Sequence, residues 1–121
     1  MDKRIVNIAL LEDGRLRLKN GRIVTPENEV LHIKNGVVSF MMNRYLVCFI
    51  DVDDYFKWSL WAHRVTFSHL DTNVGGATYD NGYEHRSIPA LIMQTKPGQK
   101  VSYRNNNHCD IRKENLYIRG M

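Results

Sequence analysis

The sequence is poor in cysteine and proline and lacks any long apolar run. Its two cysteines, Cys48 and Cys109, are too few for a multi-disulfide framework or a four-cysteine zinc site. The longest apolar stretch, residues 45–50, has the length of a strand, whereas a membrane span needs about 18 residues. The N-terminus has no apolar core of the signal-peptide kind, and no glycine pattern resembles a phosphate-binding or dinucleotide-binding loop. We therefore predict a cytoplasmic protein with reduced thiols, no membrane association and no nucleotide cofactor.

What the chain does contain is the composition of a globular domain with unevenly distributed charge. It has 121 residues, 43% of them hydrophobic and 25% charged, and a formal net charge of +4. The last 26 residues hold six Lys or Arg and two Asp or Glu, so their local excess equals that of the whole chain. Such a basic segment favours an anionic partner, most often nucleic acid. The alternative is a solvated surface with unevenly placed charges.

The pattern of turns and apolar runs predicts an α+β fold in a single domain, residues 1–121. Asp-Gly or Asn-Gly pairs at 13–14, 20–21 and 35–36 are typical of tight hairpin turns, so residues 1–50 are predicted as an N-terminal antiparallel β-sheet. We also predict that this β-rich part could join two copies of the chain in a homodimer. In residues 51–121 we expect a helix over 54–61 capped by Asp51 or Asp53, and a second helix that Ser87 caps.

Residues 101–118, VSYRNNNHCDIRKENLYI, resemble the core of the HNH endonucleases that are common in bacteriophage genomes. Members of that family typically read V-D-H-x-N-G-N-x-x-D-N-R-x-E-N-L-x-I. The matching positions are Val101, Asn105, Asn107, Asp110, Arg112, Glu114, Asn115, Leu116 and Ile118. An upstream acidic stretch at 51–55, Lys57 with Trp58 or Trp61, and the segment at 91–93 extend the similarity over roughly residues 45–118. The resemblance implies a phage-encoded protein with a truncated HNH-like module of the ββα-metal type over 51–121.

The departures from that family lie at its catalytic positions. Ser102 and Tyr103 stand where the family has its metal-binding Asp and its water-activating His. Serine offers no carboxylate to a hard cation, and tyrosine, with a pKa of about 10, is a poor base at neutral pH. Only three residues follow Ile118, so the family's terminal metal-binding helix is expected to be missing. Of the catalytic set only Asn115 is retained, and we expect no catalytic residues.

A replacement metal site is the alternative to this loss. His108, Cys109 and Asp110 are residue types that ligate transition metals. Consecutive residues rarely converge on one ion, so we predict neither a metal site nor a cofactor. A divalent metal is expected only if the chain is an active nuclease.

Three functions follow from this resemblance. The first is a catalytically inactive or impaired HNH-like protein that keeps a basic nucleic-acid-binding surface. An alternative is a repurposed scaffold that binds a host protein complex as an inhibitor, of the anti-defence or anti-CRISPR type. A third is an active metal-dependent DNA endonuclease with substituted residues. The residues predicted to contact nucleic acid are Lys100, Arg104, Asn105, Asn107, Arg112, Lys113 and Arg119.

Overall fold

Strands dominate the architecture of this protein. The structure, a computed structural model, describes residues 8–43, 46–68, 76–80 and 85–120. Within these ranges two short helices accompany the strands, which confirms the α+β prediction. The elements are β1 (Ala9–Leu10), β2 (Leu16–Arg17), β3 (Ile23–Val24), β4 (Val30–Lys34), β5 (Val37–Met41), β6 (Val47–Asp51), α1 (Val52–Lys57), β7 (Val65–Ser68), β8 (Gly76–Asp80), β9 (His85–Ser87), α2 (Ile88–Met93), β10 (Gln99–Tyr103) and β11 (Leu116–Gly120).

The N-terminal part forms two antiparallel sheets where the sequence predicts one. Their strand orders are β1-β2-β3 and β4-β5-β6. The chain leaves the first sheet after Val24 and passes through Pro26, which has no N–H to donate to a sheet. Asn35 and Gly36 connect β4 to β5 with φ values of 53° and 79°, as the Asn-Gly pair predicts. Residues 1–7 of the predicted N-terminal sheet lie outside the described ranges.

The two helices are capped differently. At α2 the prediction is confirmed, because the Ala90 N–H donates to the Ser87 hydroxyl at 3.4 Å. α1 begins after Asp51, one of the two predicted caps. The Asp51 side chain makes no cap bond, however, and accepts instead from the Lys113 N–H at 2.8 Å. The observed helix ends at Lys57, earlier than the predicted end at residue 61. The backbone of Ser59 adopts the left-handed conformation, and a 3₁₀ turn, Leu60–Ala62, follows.

One hydrophobic cluster contains buried residues of both the β-rich part and the rest of the chain. Cys48 and Ile50 on β6, and Ile111 in the connection between β10 and β11, have no exposed surface. The buried Asn28 connects sheets, because its Nδ2 donates at 2.8 Å both to the Met41 and to the Val65 carbonyl oxygen. None of the described helices has both the length and the apolar sequence that a bilayer span requires.

β7, β8 and β9 form a third antiparallel sheet, and β10 pairs with β11 in a hairpin. α2 packs against both strands of that hairpin. A twelve-residue connection, 104–115, separates β10 from β11 and ends in a short 3₁₀ turn, Lys113–Asn115. The basic C-terminal segment predicted from the sequence therefore lies on a hairpin and its long loop.

Candidate nucleic-acid interface and its supporting loop

One face of the β10–β11 hairpin carries polar and basic side chains. Lys100 is the Cα partner of Arg119, and Ser102 is the partner of Tyr117. Directly opposite residues share a face and successive residues alternate, so these four side chains lie on the same side. We call this side, together with Arg104, the outer face. The intervening residues include Tyr103 and Leu116, which are buried.

Positive charge on the outer face lacks local compensation. Lys100 and Arg119 are like charges at opposed positions, an arrangement that disfavours the hairpin unless an anion is near. The Arg104 guanidinium carbon lies 5.2 Å from the centre of the Tyr117 ring, a cation–π contact. Within the described ranges, no acidic group forms an ion pair with Lys100, Arg104 or Arg119. The outer face therefore offers three cations and an aromatic ring to an anionic ligand.

Asn115 closes the loop behind this face. Its side chain is almost fully buried, at 5% exposure. Nδ2 donates to the Asp110 carbonyl oxygen at 2.9 Å, and Oδ1 accepts from the Asn105 N–H at 3.0 Å. The backbone adds a bond of 2.8 Å from the Arg104 N–H to the Asn115 carbonyl oxygen. The Asn115 side chain, at a position that matches the HNH-like pattern, therefore holds both ends of the loop together.

An ion-pair cluster occupies the same loop. Arg112 donates from Nε and Nη2 to the two carboxylate oxygens of Asp110, both at 2.8 Å, and from Nη1 to Glu114. Burial alone would raise the pKa of Asp110, but the hydrogen bonds from Arg112 and Asn105 outweigh it and hold the pKa below its usual value. The hydrogen bonds to Asp110 also raise the pKa of Arg112 above its usual value. This bidentate geometry keeps the Arg112 guanidinium bound within the protein.

The predicted nucleic-acid residues therefore divide into two groups. Lys100, Arg104 and Arg119 meet on the outer face. The other four belong to the loop, where their side chains or backbones hold its shape: Asn105, Asn107, Arg112 and Lys113. Lys113 is exposed, and only its backbone N–H bonds to Asp51.

Sequence reasoning missed the acidic partners in this arrangement. Asp51 anchors the 3₁₀ turn through the Lys113 N–H, although it lies 62 residues earlier in the chain. Glu114 accepts from Arg112 at 2.6 Å. The alternation of Asp110, Arg112 and Glu114 was the available signal for that pairing, whereas nothing local indicates the contact of Asp51.

The two positions that the HNH resemblance aligns with the family's Asp-His pair differ in environment. Ser102 is half-buried on the outer face. Tyr103 is buried, its ring stacks on His108 with centroids 4.3 Å apart, and burial raises its pKa to about 12. A hydroxyl with this pKa stays protonated near neutral pH and is therefore unsuited to activate water.

The proposed metal ligands do not converge. His108 stacks on Tyr103, Cys109 is half-buried, and Asp110 accepts from Arg112 at both carboxylate oxygens and from Asn105 at Oδ2. No group of three or more His, Cys, Asp or Glu side chains suited to a metal ion occurs in the part of the chain that the structure describes. These residues do not fit the divalent cation that the HNH resemblance implies.

Comparisons with known proteins assign neither a family nor a function to this chain. The chain matches no family model, no curated protein and no solved structure. The membership in the HNH family that residues 101–118 suggest therefore stays a prediction.

Proposed function

We propose that this chain binds nucleic acid through the outer face of the β10–β11 hairpin and does not cleave it. The observation that carries the proposal is the uncompensated charge of Lys100, Arg104 and Arg119 beside the exposed Tyr117. Cations of this kind bind phosphate with release of condensed counterions, and an exposed ring can stack on an unpaired base. The HNH-like resemblance of residues 101–118 supports the same partner class.

The side chains at the positions that the resemblance aligns with the family's catalytic pair do not support cleavage. Ser102 cannot supply the carboxylate that the family uses for its cation. Tyr103 is buried with a pKa of about 12, and its ring is engaged with His108. Loss of a general base alone typically costs about 10²–10⁴-fold in rate. We therefore regard the hairpin as a truncated ββα-metal module that serves binding.

A salt-titrated binding experiment tests the proposal. Fluorescence anisotropy with a labelled duplex should give an affinity that falls steeply as salt rises. Replacing Lys100, Arg104 and Arg119 together by Ala should weaken binding and lower the slope of log K against log salt by up to roughly 2.7, about 0.9 for each lost phosphate contact. The matched control replaces three exposed cations elsewhere, Arg17, Lys34 and Lys57, with the same change in net charge.

The control decides whether the outer face or the overall charge binds. Equal losses in the two triple variants would contradict the assignment to the hairpin. A wild-type chain that binds neither duplex nor single strand at low salt would overturn the proposal and favour a protein partner instead. Supercoiled plasmid incubated with the protein and Mg²⁺, Mn²⁺ or Zn²⁺ should remain intact, and metal-dependent nicking would refute the loss of cleavage.

A further inference from the structure

The two cysteines lie next to each other although 61 positions separate them in the sequence. β6 and the loop run side by side there, because the Phe49 N–H donates to the Cys109 carbonyl at 2.9 Å and the Ile111 N–H donates to the Phe49 carbonyl at 2.8 Å. These two bonds form a parallel bridge between Phe49 and Asp110. In a parallel pair the preceding residues are also neighbours, and here these are Cys48 and Cys109.

This register brings the two thiols within reach of one another. Neighbouring strands lie about 4.7–4.9 Å apart, and the Cα atoms of a disulfide usually lie about 4.4–6.8 Å apart. The residues that follow the bridge, Ile50 and Ile111, are both fully buried, so this side of the pair faces the core. Cys48 is also fully buried, and the neighbouring Cys109 contributes to its raised pKa after the larger effect of burial.

A reagent can reach one thiol but not the other. Cys109 is half-buried and lines a surface pocket of about 580 Å³ together with Leu46, Phe67 and His108. Cys48 has no exposed surface. This asymmetry fits an exchange in which Cys109 reacts first and Cys48 then resolves the intermediate.

We propose that Cys48 and Cys109 form a reversible intramolecular disulfide by exchange with a low-molecular-weight disulfide. The Cys109 thiolate attacks one sulfur of the reagent, its S–S bond breaks, and a thiolate leaves, so that a mixed disulfide remains on Cys109. The Cys48 thiolate then attacks the Cys109 sulfur and releases the second thiolate. Both cysteine protons pass to solvent, the two cysteines are oxidised, and the reagent is reduced to two thiols.

The cross-link would connect β6 to the loop that holds the outer face. That loop begins at Arg104 and is otherwise attached to β6 through the two backbone bonds of Phe49 and the contact of Asp51. In the reduced state of a cytoplasmic protein both thiols stay free, and the disulfide forms when the thiol pool is oxidised. Since burial raises the pKa of both thiols, the exchange should be slow at neutral pH and faster at alkaline pH.

Oxidised glutathione supplied to the folded, full-length chain tests this proposal. The expected product is a monomer lighter by two hydrogen atoms, and a phosphine reductant should restore the original mass. After alkylation and trypsin digestion without reductant, peptides 45–57 and 105–112 should be joined. A stable glutathione adduct on Cys109, a disulfide between two chains, or an unchanged mass after prolonged incubation at alkaline pH would each overturn the proposal.

Two single variants distinguish the order of the steps. Cys48→Ala should stop at the glutathione adduct of Cys109, because the resolving thiol is missing. Cys109→Ala should remain unmodified, because the remaining thiol is buried. Circular dichroism of each variant before oxidation checks that it is folded, and a Cys109→Ala chain that is folded yet modified at Cys48 would refute the proposed order.

Discussion

The replacement of Asn115 by Ala removes a side chain whose two hydrogen-bonding groups are both used. The change takes away the donor to the Asp110 carbonyl oxygen and the acceptor from the Asn105 N–H. It leaves the backbone bond between Arg104 and Asn115 in place. We expect the loop to lose its closure while the β10–β11 register is retained.

The cost can be worked out from the burial of each partner. Asp110 is 4% exposed, so its carbonyl oxygen is left without water, and an unsatisfied buried acceptor costs about 1–3 kcal/mol. Asn105 is exposed, so its N–H can bond to solvent, and only the net value of one hydrogen bond, about 0.5–1.5 kcal/mol, is lost. We therefore expect Asn115→Ala to lower the free energy of unfolding by about 1.5–4.5 kcal/mol.

Urea denaturation followed by the fluorescence of Trp58 and Trp61 measures this loss. Asn106→Gly is the matched control, because Asn106 is exposed in the same loop at a φ of 62°, which glycine adopts without strain. The control should stay within about 0.5 kcal/mol of wild type. Hydrogen exchange at the Asn105 amide should also accelerate in Asn115→Ala. A loss below about 1 kcal/mol at an unchanged denaturant slope would refute the role assigned to this side chain.

Two further predictions concern the same hairpin. The pKa of Asp110 is lower in the folded state than in the unfolded chain, so its ion pair stabilises at neutral pH, and this stabilisation is lost as the pH falls from about 4 through the folded-state pKa. Asp110→Asn should therefore show a shallower loss of stability in acid than wild type, and equal slopes would contradict the assignment. A Cβ at Gly76 would lie 2.7 Å from the Tyr103 hydroxyl, so Gly76→Ala should destabilise by about 1–3 kcal/mol. In a Tyr103→Phe background that cost should shrink, and an identical cost in both backgrounds would exclude this clash as its cause.

Local signals allowed the turns and one helix cap to be predicted from the sequence. The Asn35-Gly36 turn depends on two residues that adopt positive φ easily, and the Ser87 cap depends on one side chain and a nearby N–H. Each of these interactions is decided within about four residues, which is the range over which a sequence pattern acts. Asp51 shows the limit of such reasoning, because it stands at the predicted cap position and yet bonds to a distant backbone.

The contacts that join separate sheets, and those that hold the loop of the candidate site against β6, are long-range. Asn28 bonds to the backbone of Val65, and Phe49 pairs with Asp110, so no window of sequence contains both partners. The proximity of Cys48 and Cys109 follows from that second pairing alone. A resemblance over residues 101–118 marked the hairpin, but it could not show which part of the chain the loop packs against.

The net charge of the C-terminal segment does not show which of its cations lie together on the outer face. Residues 96–121 contain only two acidic side chains, Asp110 and Glu114, and both of them bind Arg112. That one arginine is therefore paired with both acidic side chains of the segment, in a cluster whose net charge is −1. The excess that remains includes the three cations of the outer face. The net charge indicated the hairpin because both acidic side chains of the segment bind Arg112 and neither lies on the outer face. Composition alone cannot distinguish this arrangement from one in which acidic and basic residues are evenly mixed.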